Sequence, residues 1–301
     1  MSNSASPNNF EAIKKEFPVP IEAVQLPKVD AGELISPDKI VAFLEERSPS
    51  YEFEKLGYEV KTTEEIDSIY LMVNPDPNNF THVTPNSLVI SHHKVSVYNN
   101  RVYNQILDRA EAGRYNLYNY HLGWDVMEGG IGDSFLRHMR IPKKMIQKVD
   151  LSYKNHRIRK LGAVVECQVS FEQIASRLSR LKVNPTVVIN PSCDFSTLGY
   201  IPGGGFVDTM MIELHDKYGV DFMISSDPIW VTEIIARELG MTLVAIDHYI
   251  SERYGLQRMK RLLSKAFPDI PVVVLEELES INCSSEHCDC ETGSFQNIRL
   301  K

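Results

Sequence analysis

The chain has 301 residues, 43% of them hydrophobic and 24% charged, an ordinary globular composition sufficient for one large domain or two modest ones. A formal net charge of -8 and a pI near 5.6 lack the basic balance of a general nucleic-acid binder. No apolar run is long enough to span a bilayer, and the opening "MSNSASPNNF" does not have the basic-then-apolar form of a signal peptide.

Residues 1–35 read as an N-terminal tail or extension, and "PDKIVAFLEER" as the first helix. "SIYLMVN" and "NSLVISHH" are predicted strands, "RVYNQILDRAEAG" a helix and "YNLYNYH" a further strand, which makes residues 36–145 a first α/β lobe. Residues 140–160, "RIPKKMIQKVDLSYKNHRIRK", are dense in Lys and Arg. They read as a solvated face or a connector, at the natural boundary between two lobes, with a phosphate-steering patch as the alternative.

Residues 146–280 form the second predicted α/β lobe, and from residue 161 the alternation is clear. "GAVVECQV" is a strand, and "SFEQIASRLSRL" a helix opened by a Ser170/Gln173 capping box. "TVVIN" is a strand, and "FVDTMMIELHDKYG" a helix closed by Gly219. "VDFMISS" leads into "PIWVTEIIARELG", a helix with Pro228 at its start and Gly240 at its end. "MTLVAID" is a strand, "ISERYGLQRMKRLLSKAF" a helix and "IPVVVLEEL" the last strand. Apolar strands alternating with helices predict an α/β fold with a substantially parallel, helix-covered sheet.

Residues 281–301 are a cysteine-containing tail, in which Cys283, His287, Cys288 and Cys290 offer soft-metal ligands without paired C-x-x-C knuckles, so a mobile thiol-bearing tail is the favoured reading. Cys167 and Cys193 have no assigned role, and five cysteines without a disulfide framework fit a reducing, cytoplasmic setting.

Ligand sites in open α/β sheets gather at the carboxyl ends of strands. Three predicted strands end in histidine there: His92-His93, His121 with Asp125 four residues on, and His248 with Glu252 four residues on. Each has an ordinary reading alone. Adjacent strand residues diverge to opposite faces, so His92 and His93 need share no task. His121 and Asp125 could pair within a loop, and a carboxylate near a helix start complements the helix dipole. Together, imidazoles and carboxylates form the ligand set for zinc, iron, manganese or nickel. The i, i+4 spacing puts His248 and Glu252 on one helical face, the diverging histidines suit two ions, and Glu252 or Asp125 could bridge them. "IPGGGF" sets Gly203, Gly204 and Gly205 before a helix, where backbone N–H groups can hold phosphate; a flexible turn is the favoured reading, and the P-loop ending is absent.

"SLVISHHKVSVYNN", "YNLYNYHLGWDVMEGGIGDSFLRHM" and "TLVAIDHYISERYG" resemble, in order, the motifs of the NGG-one-interacting-factor-three (NIF three-like) family, many of whose bacterial members are known as type-2 GTP cyclohydrolase I homologues. The resemblance implies two α/β lobes, sheets flanked by helices, with a dinuclear metal site between them. It implies His92, His93, Asp125, His248 and Glu252 as ligands to two divalent first-row transition-metal ions, with His121 orienting a ligand or meeting substrate. It also implies a ring-shaped homohexamer. The chain departs from the family pattern at Lys94 after the His-His pair, at Trp124 in "HLGWD" and at "SSD" in residues 225–227, changes that alter the walls of the site more than its presumed ligands. The leading functional expectation is a metal-dependent hydrolase on a small, nucleotide-like substrate. A metal-handling protein without turnover, and a regulatory or scaffold protein, are the alternatives.

Overall fold

Strands buried at every position build the first sheet. In a computed structural model that describes residues 34–48, 51–77, 79–95, 100–166, 170–190 and 195–276, β2 (Ser68–Met72), β3 (Ser87–Ser91) and β4 (Asn116–Asn119) are buried along their whole length. That is the pattern of parallel strands covered on both faces. β2 pairs with β3 and β3 with β4 in parallel, while β1 (Gly57–Val60) closes one edge antiparallel to β4. α1 (Pro37–Arg47) lays Ile40 and Leu44 on this sheet, and α2 (Asn100–Gly113) is the crossover from β3 to β4.

The second sheet is mixed, not substantially parallel. Its order is β5-β6-β8-β9-β10-β7, from β5 (Ile146–Tyr153), β6 (His156–Glu166), β7 (Val187–Ile189), β8 (Thr197–Tyr200), β9 (Phe222–Ser225) and β10 (Thr242–Ala245). Only β8, β9 and β10 run parallel to one another; β5, β6 and β7 pair antiparallel. The basic stretch expected to be a solvated face or a connector is largely a hairpin. Lys154 and Asn155, with φ of 47° and 65°, make the two-residue turn between β5 and β6, a left-handed pair whose twist matches the strands. The exposed positions of β6 take Arg157, Arg159 and Lys160, so of the two readings the solvated face holds and the connector does not.

The helices of this half follow the sequence closely. After α3 (Leu122–Val126) and α4 (Ile131–His138), α5 (Phe171–Arg180) opens with the Ser170/Gln173 capping box. α6 (Asp208–Tyr218) and α7 (Trp230–Leu239) end at Gly219 and Gly240, both in the left-handed conformation. α8 (His248–Ala266) then leaves the second sheet from β10 and packs Leu256, Met259 and Leu263 into the core of the first. It delivers β11 (Val272–Val274) alongside β2, so the first sheet runs β1-β4-β3-β2-β11. The final strand therefore completes the sheet that began the fold. No described helix is long and apolar enough to cross a membrane.

Candidate metal centre

Strand ends from both sheets meet at one point. β3 ends at Ser91 and releases His92 and His93. β4 leads through Tyr120 to His121, which starts the short helix α3 (Leu122–Val126) carrying Asp125. From the other sheet, Asp247 caps α8 by accepting from the Ile250 N–H at 2.9 Å, and the first two turns of α8 present His248 and Glu252. The described residues thus bring all six predicted side chains into one cluster. The rings of His92 and His93 lie 4.7 Å apart, and those of His93 and His248 5.0 Å apart. The expected divergence of His92 and His93 is absent, because both lie beyond the regular strand and its alternation.

Glu252 is the hub. Its Oε1 lies 3.0 Å from His248 Nε2 and 3.4 Å from His92 Nε2, and its Oε2 lies 3.4 Å from His93 Nε2. Asp125 Oδ1 is 3.7 Å from His92 Nε2. Two ligands held by one tetrahedral ion at about 2.1 Å are roughly 3.4 Å apart, the spacing these atoms adopt. Two groups have ligand atoms mutually within 4.8 Å: His92, His93 and His121, and His93, His248 and Glu252. His121, expected to orient a ligand or meet substrate, is therefore as close to the cluster as the expected ligands.

Three of the histidines are held from behind by residues that sequence reasoning did not select. His121 Nδ1 bonds Glu54 Oε1 at 2.6 Å, His93 Nδ1 bonds Asn74 Oδ1 at 2.5 Å, and His248 Nδ1 bonds Asp227 Oδ2. A carboxylate or amide oxygen only accepts, so each Nδ1 carries a proton and each Nε2 faces the cluster, where a bound cation would take the place of any proton on it. Asp227 belongs to the "SSD" segment flagged as a departure, and Asn74 follows the end of β2, so position at a strand end was their signal. Glu54 sits in a 3-10 turn with no such signal. Lys94, the other departure, donates from Nζ to the Glu54 carbonyl at 2.8 Å and so braces that turn. Trp124 is fully buried and meets the His92 ring edge-on at 5.8 Å.

Buried atoms without partners test the fit to a metal. His92 is fully buried, and neither ring nitrogen has a hydrogen bond; Asp125 Oδ1 and Glu252 Oε2 are likewise unsatisfied. Leaving such groups unpaired costs about 1–3 kcal/mol each, and a bound cation would satisfy one ring nitrogen of His92 and the two carboxylate oxygens. Burial drives the His92 pKa down to about 3 against the pull of Glu252, so its imidazole is neutral and able to ligate. Burial also raises Asp125. Glu252 falls well below the ordinary range because His92, His93 and His248 overcome its burial. Burial opposes protonation of His248, yet Glu252 and then Asp227 carry it up to about 10. The donor set fits first-row ions.

The loop at 203–205 roofs the centre. Gly203 has φ of 58°, and a Cβ there would lie 2.4 Å from Glu252 Oε1 and 2.9 Å from His248 Nε2, so glycine is required. Its N–H donates to Ser251 Oγ at 2.9 Å, and the Gly205 N–H donates to Ser225 Oγ at 2.9 Å. Two of the three N–H groups suggested as a phosphate cradle are thus committed to serines. Beneath the loop is a cavity of about 250 Å³, with His93, His121, Asp125, His248 and Glu252 on its polar side and Leu122, Tyr153, Leu161, Ile201 and Met210 on its apolar side. All five cysteines, including Cys283, Cys288 and Cys290 beside His287, lie outside the described residues.

Residues 37–280 match the model of the Duf34/NIF3 (NGG1p interacting factor 3) family. The chain belongs to that family. A curated relative from Methanocaldococcus jannaschii, named GTP cyclohydrolase 1 type 2 homolog, is 27% identical over 164 residues, 53% of this chain and 62% of that protein. This chain therefore spans less than two thirds of that relative's length. Among solved structures, reduced HcgD from the same organism superposes with a TM-score of 0.65 at 22% identity, covering 80% of this chain and 98% of that one. The Bacillus cereus protein related to NIF3 superposes at 0.67 with 12% identity, covering 84% and 98%. These likenesses show the fold shared across the family.

Proposed function

We propose that this NIF3-family chain is a dinuclear metal-dependent hydrolase acting on a small, nucleotide-like substrate. The observation that carries the reading is the convergence of the Nε2 atoms of His92, His93 and His248 on the single carboxylate of Glu252, beside a cavity. His93 belongs to both candidate ligand groups, one with His92 and His121 and one with His248 and Glu252; overlapping groups suit a pair of ions, and the ligand set His92, His93, Asp125, His248 and Glu252 adds Asp125, whose Oδ1 lies 3.7 Å from His92 Nε2. Bound there, the ions would supply Lewis acidity that makes water nucleophilic at neutral pH.

The chain's own residues supply the rest. His121, oriented by Glu54, moves a proton between water and the leaving group. Tyr153, Leu161 and Met210 offer an apolar wall for a ring, and the Gly203 loop limits water around the carboxylate. The name of the archaeal relative supports a purine nucleotide as the first substrate class to try. The homohexamer is part of the proposal; Ile229, Trp230 and Ile234 of the α7 region, 60%, 80% and 49% exposed, support burial of that face in an assembly.

The test is turnover of GTP and a panel of cyclic amides and esters by metal-loaded protein, beside His121→Gln. The expected outcome is hydrolysis that falls by a factor of roughly 10²–10⁴ in the variant while its metal content is retained. Fully loaded protein without turnover on any of them contradicts the hydrolase reading.

A further inference from the structure

Beyond the C-terminal end of α3, lined by Val126, lies a second cavity of about 370 Å³, whose chemistry is opposite to that of the metal centre. Five cationic side chains line it, Arg137, Lys143, Lys148, Lys160 and Arg258, against the carboxylates of Glu128 and Asp133. Three cations are therefore in excess in one hollow of a chain whose net charge is -8. Like charges gathered this closely repel one another unless an anion lies between them.

The two carboxylates are already engaged. Glu128 pairs with Lys143, and Lys143 first, then Lys160 and Arg258, hold its carboxyl below the usual range. Asp133 accepts from the Gly129 N–H at 2.7 Å and stands 3.3 Å from Lys148 Nζ. No carboxylate pairs with Arg137, Lys160 or Arg258 among the described residues. Lys148 is the most telling member: its Nζ is buried and has no hydrogen-bond partner, and burial draws its pKa down while Asp133 pulls the other way. Its one close carboxylate, Asp133 at 3.3 Å, leaves the remaining ammonium hydrogens without an acceptor among the described residues.

The backbone is shaped around these cations. Gly129 has φ of 73°, and a Cβ there would lie 2.8 Å from Arg258 Nε, so the guanidinium rests directly on the "EGG" turn. Lys160 adopts φ of 58°, which a non-glycine residue holds only at a cost, and its N–H is fixed by Asp150 Oδ1 at 2.9 Å. Lys143, Lys148 and Lys160 all come from the basic stretch at 140–160, for which phosphate steering is the alternative reading. With two N–H groups of the glycine loop committed elsewhere, phosphate recognition has a better-founded location here.

We propose that this cavity is a separate binding site for a small phosphate-bearing molecule, held by Arg137, Lys148, Lys160 and Arg258 through charge-assisted hydrogen bonds. Guanidinium groups grip phosphoryl oxygens in pairs and ammonium groups act as point charges beside them, so a ligand with two adjacent phosphates fits the donor set. The volume holds a small molecule, and the acidic remainder of the chain opposes an extended polyanion. The proposal is independent of the metal reading.

The experiment is calorimetric titration of the full-length protein with inorganic pyrophosphate, for wild type, Arg258→Gln, Lys160→Gln and His248→Ala. Arg258 and Lys160 are exposed, and their replacement leaves the core untouched. Saturable one-site binding is expected, weakened about tenfold by each cation change, unaltered in His248→Ala and reduced by added salt. No binding by wild type, or binding lost in His248→Ala yet intact in Arg258→Gln, would overturn the proposal. So would a single-stranded oligonucleotide that displaces pyrophosphate and binds more tightly than it does.

Discussion

α3 lines two cavities that differ in how their polar groups are held. Leu122 and Asp125 line a centre where imidazoles and carboxylates are buried, several without partners, and three histidines are braced from behind. One residue after Asp125, Val126 lines a hollow where all the cations but Lys148 stand at the surface. Buried unpaired groups destabilise the fold until a ligand completes them. Exposed cations only concentrate a ligand, since water already solvates them. The metal centre should therefore be coupled to stability, and the basic hollow should not.

The largest expected effect follows from the hub. Glu252→Ala removes the carboxylate that three imidazoles share, and we expect loss of all bound metal, read by elemental analysis of the purified variant. Next come the braces: Asp227→Asn or Glu54→Gln should weaken metal binding about 10–100-fold, measured by competition with a chromophoric chelator. Wild-type affinity in either variant would show that the outward hydrogen bonds do not set ligand orientation. Chelating the metal should lower Tm by roughly 5–10 °C, the shift expected for losing about 2.7 kcal/mol of ligand stabilisation. An unchanged melting curve would remove the coupling to stability on which the contrast rests.

A control away from both cavities concerns Glu213. Its carboxylate accepts from the Ser152 N–H at 2.9 Å and pairs with Lys217 at 2.7 Å and with Arg157, tying α6 to the hairpin. Against its burial, Lys217 and Arg157 bring its pKa to about 2, from 4.5. A depressed carboxyl pKa gives stability that is present above about pH 4.5 and lost as pH falls toward 2. Glu213→Gln should then cost about 1–3 kcal/mol at pH 7, with the gap to wild type closing below about pH 3. A gap independent of pH would contradict the ionic account. Smallest of all, Arg258→Gln should shift stability by no more than about 0.5 kcal/mol and leave metal content unchanged.

Legibility in the sequence divides along similar lines. β2, β3, β4 and the helices α5 to α8 were readable because apolar runs, the Ser170 box and the glycines at 219 and 240 are local signals. The β5–β6 hairpin was hidden because Arg157, Arg159 and Lys160 occupy its exposed positions, while the two-residue turn at Lys154-Asn155 is the cue that reveals it. β11 was readable as a strand, but its place beside β2 depends on where α8 carries the chain. Within the centre, the strand-end histidines and the His248/Glu252 spacing drew attention before any fold was known. Glu54 and Asn74 did not, and Asp227 did only as part of the unusual "SSD", because their bracing role exists only through contacts 67, 19 and 21 residues away in the chain.

The most direct test is metal content per chain of wild-type protein purified without added metal, beside Glu252→Ala and His248→Ala, with folding checked by circular dichroism. The shared-carboxylate centre predicts close to two first-row ions per chain in wild type, none in folded Glu252→Ala and fewer than wild type in His248→Ala. Wild-type protein that holds no metal and takes up neither zinc, iron nor manganese would contradict the centre itself.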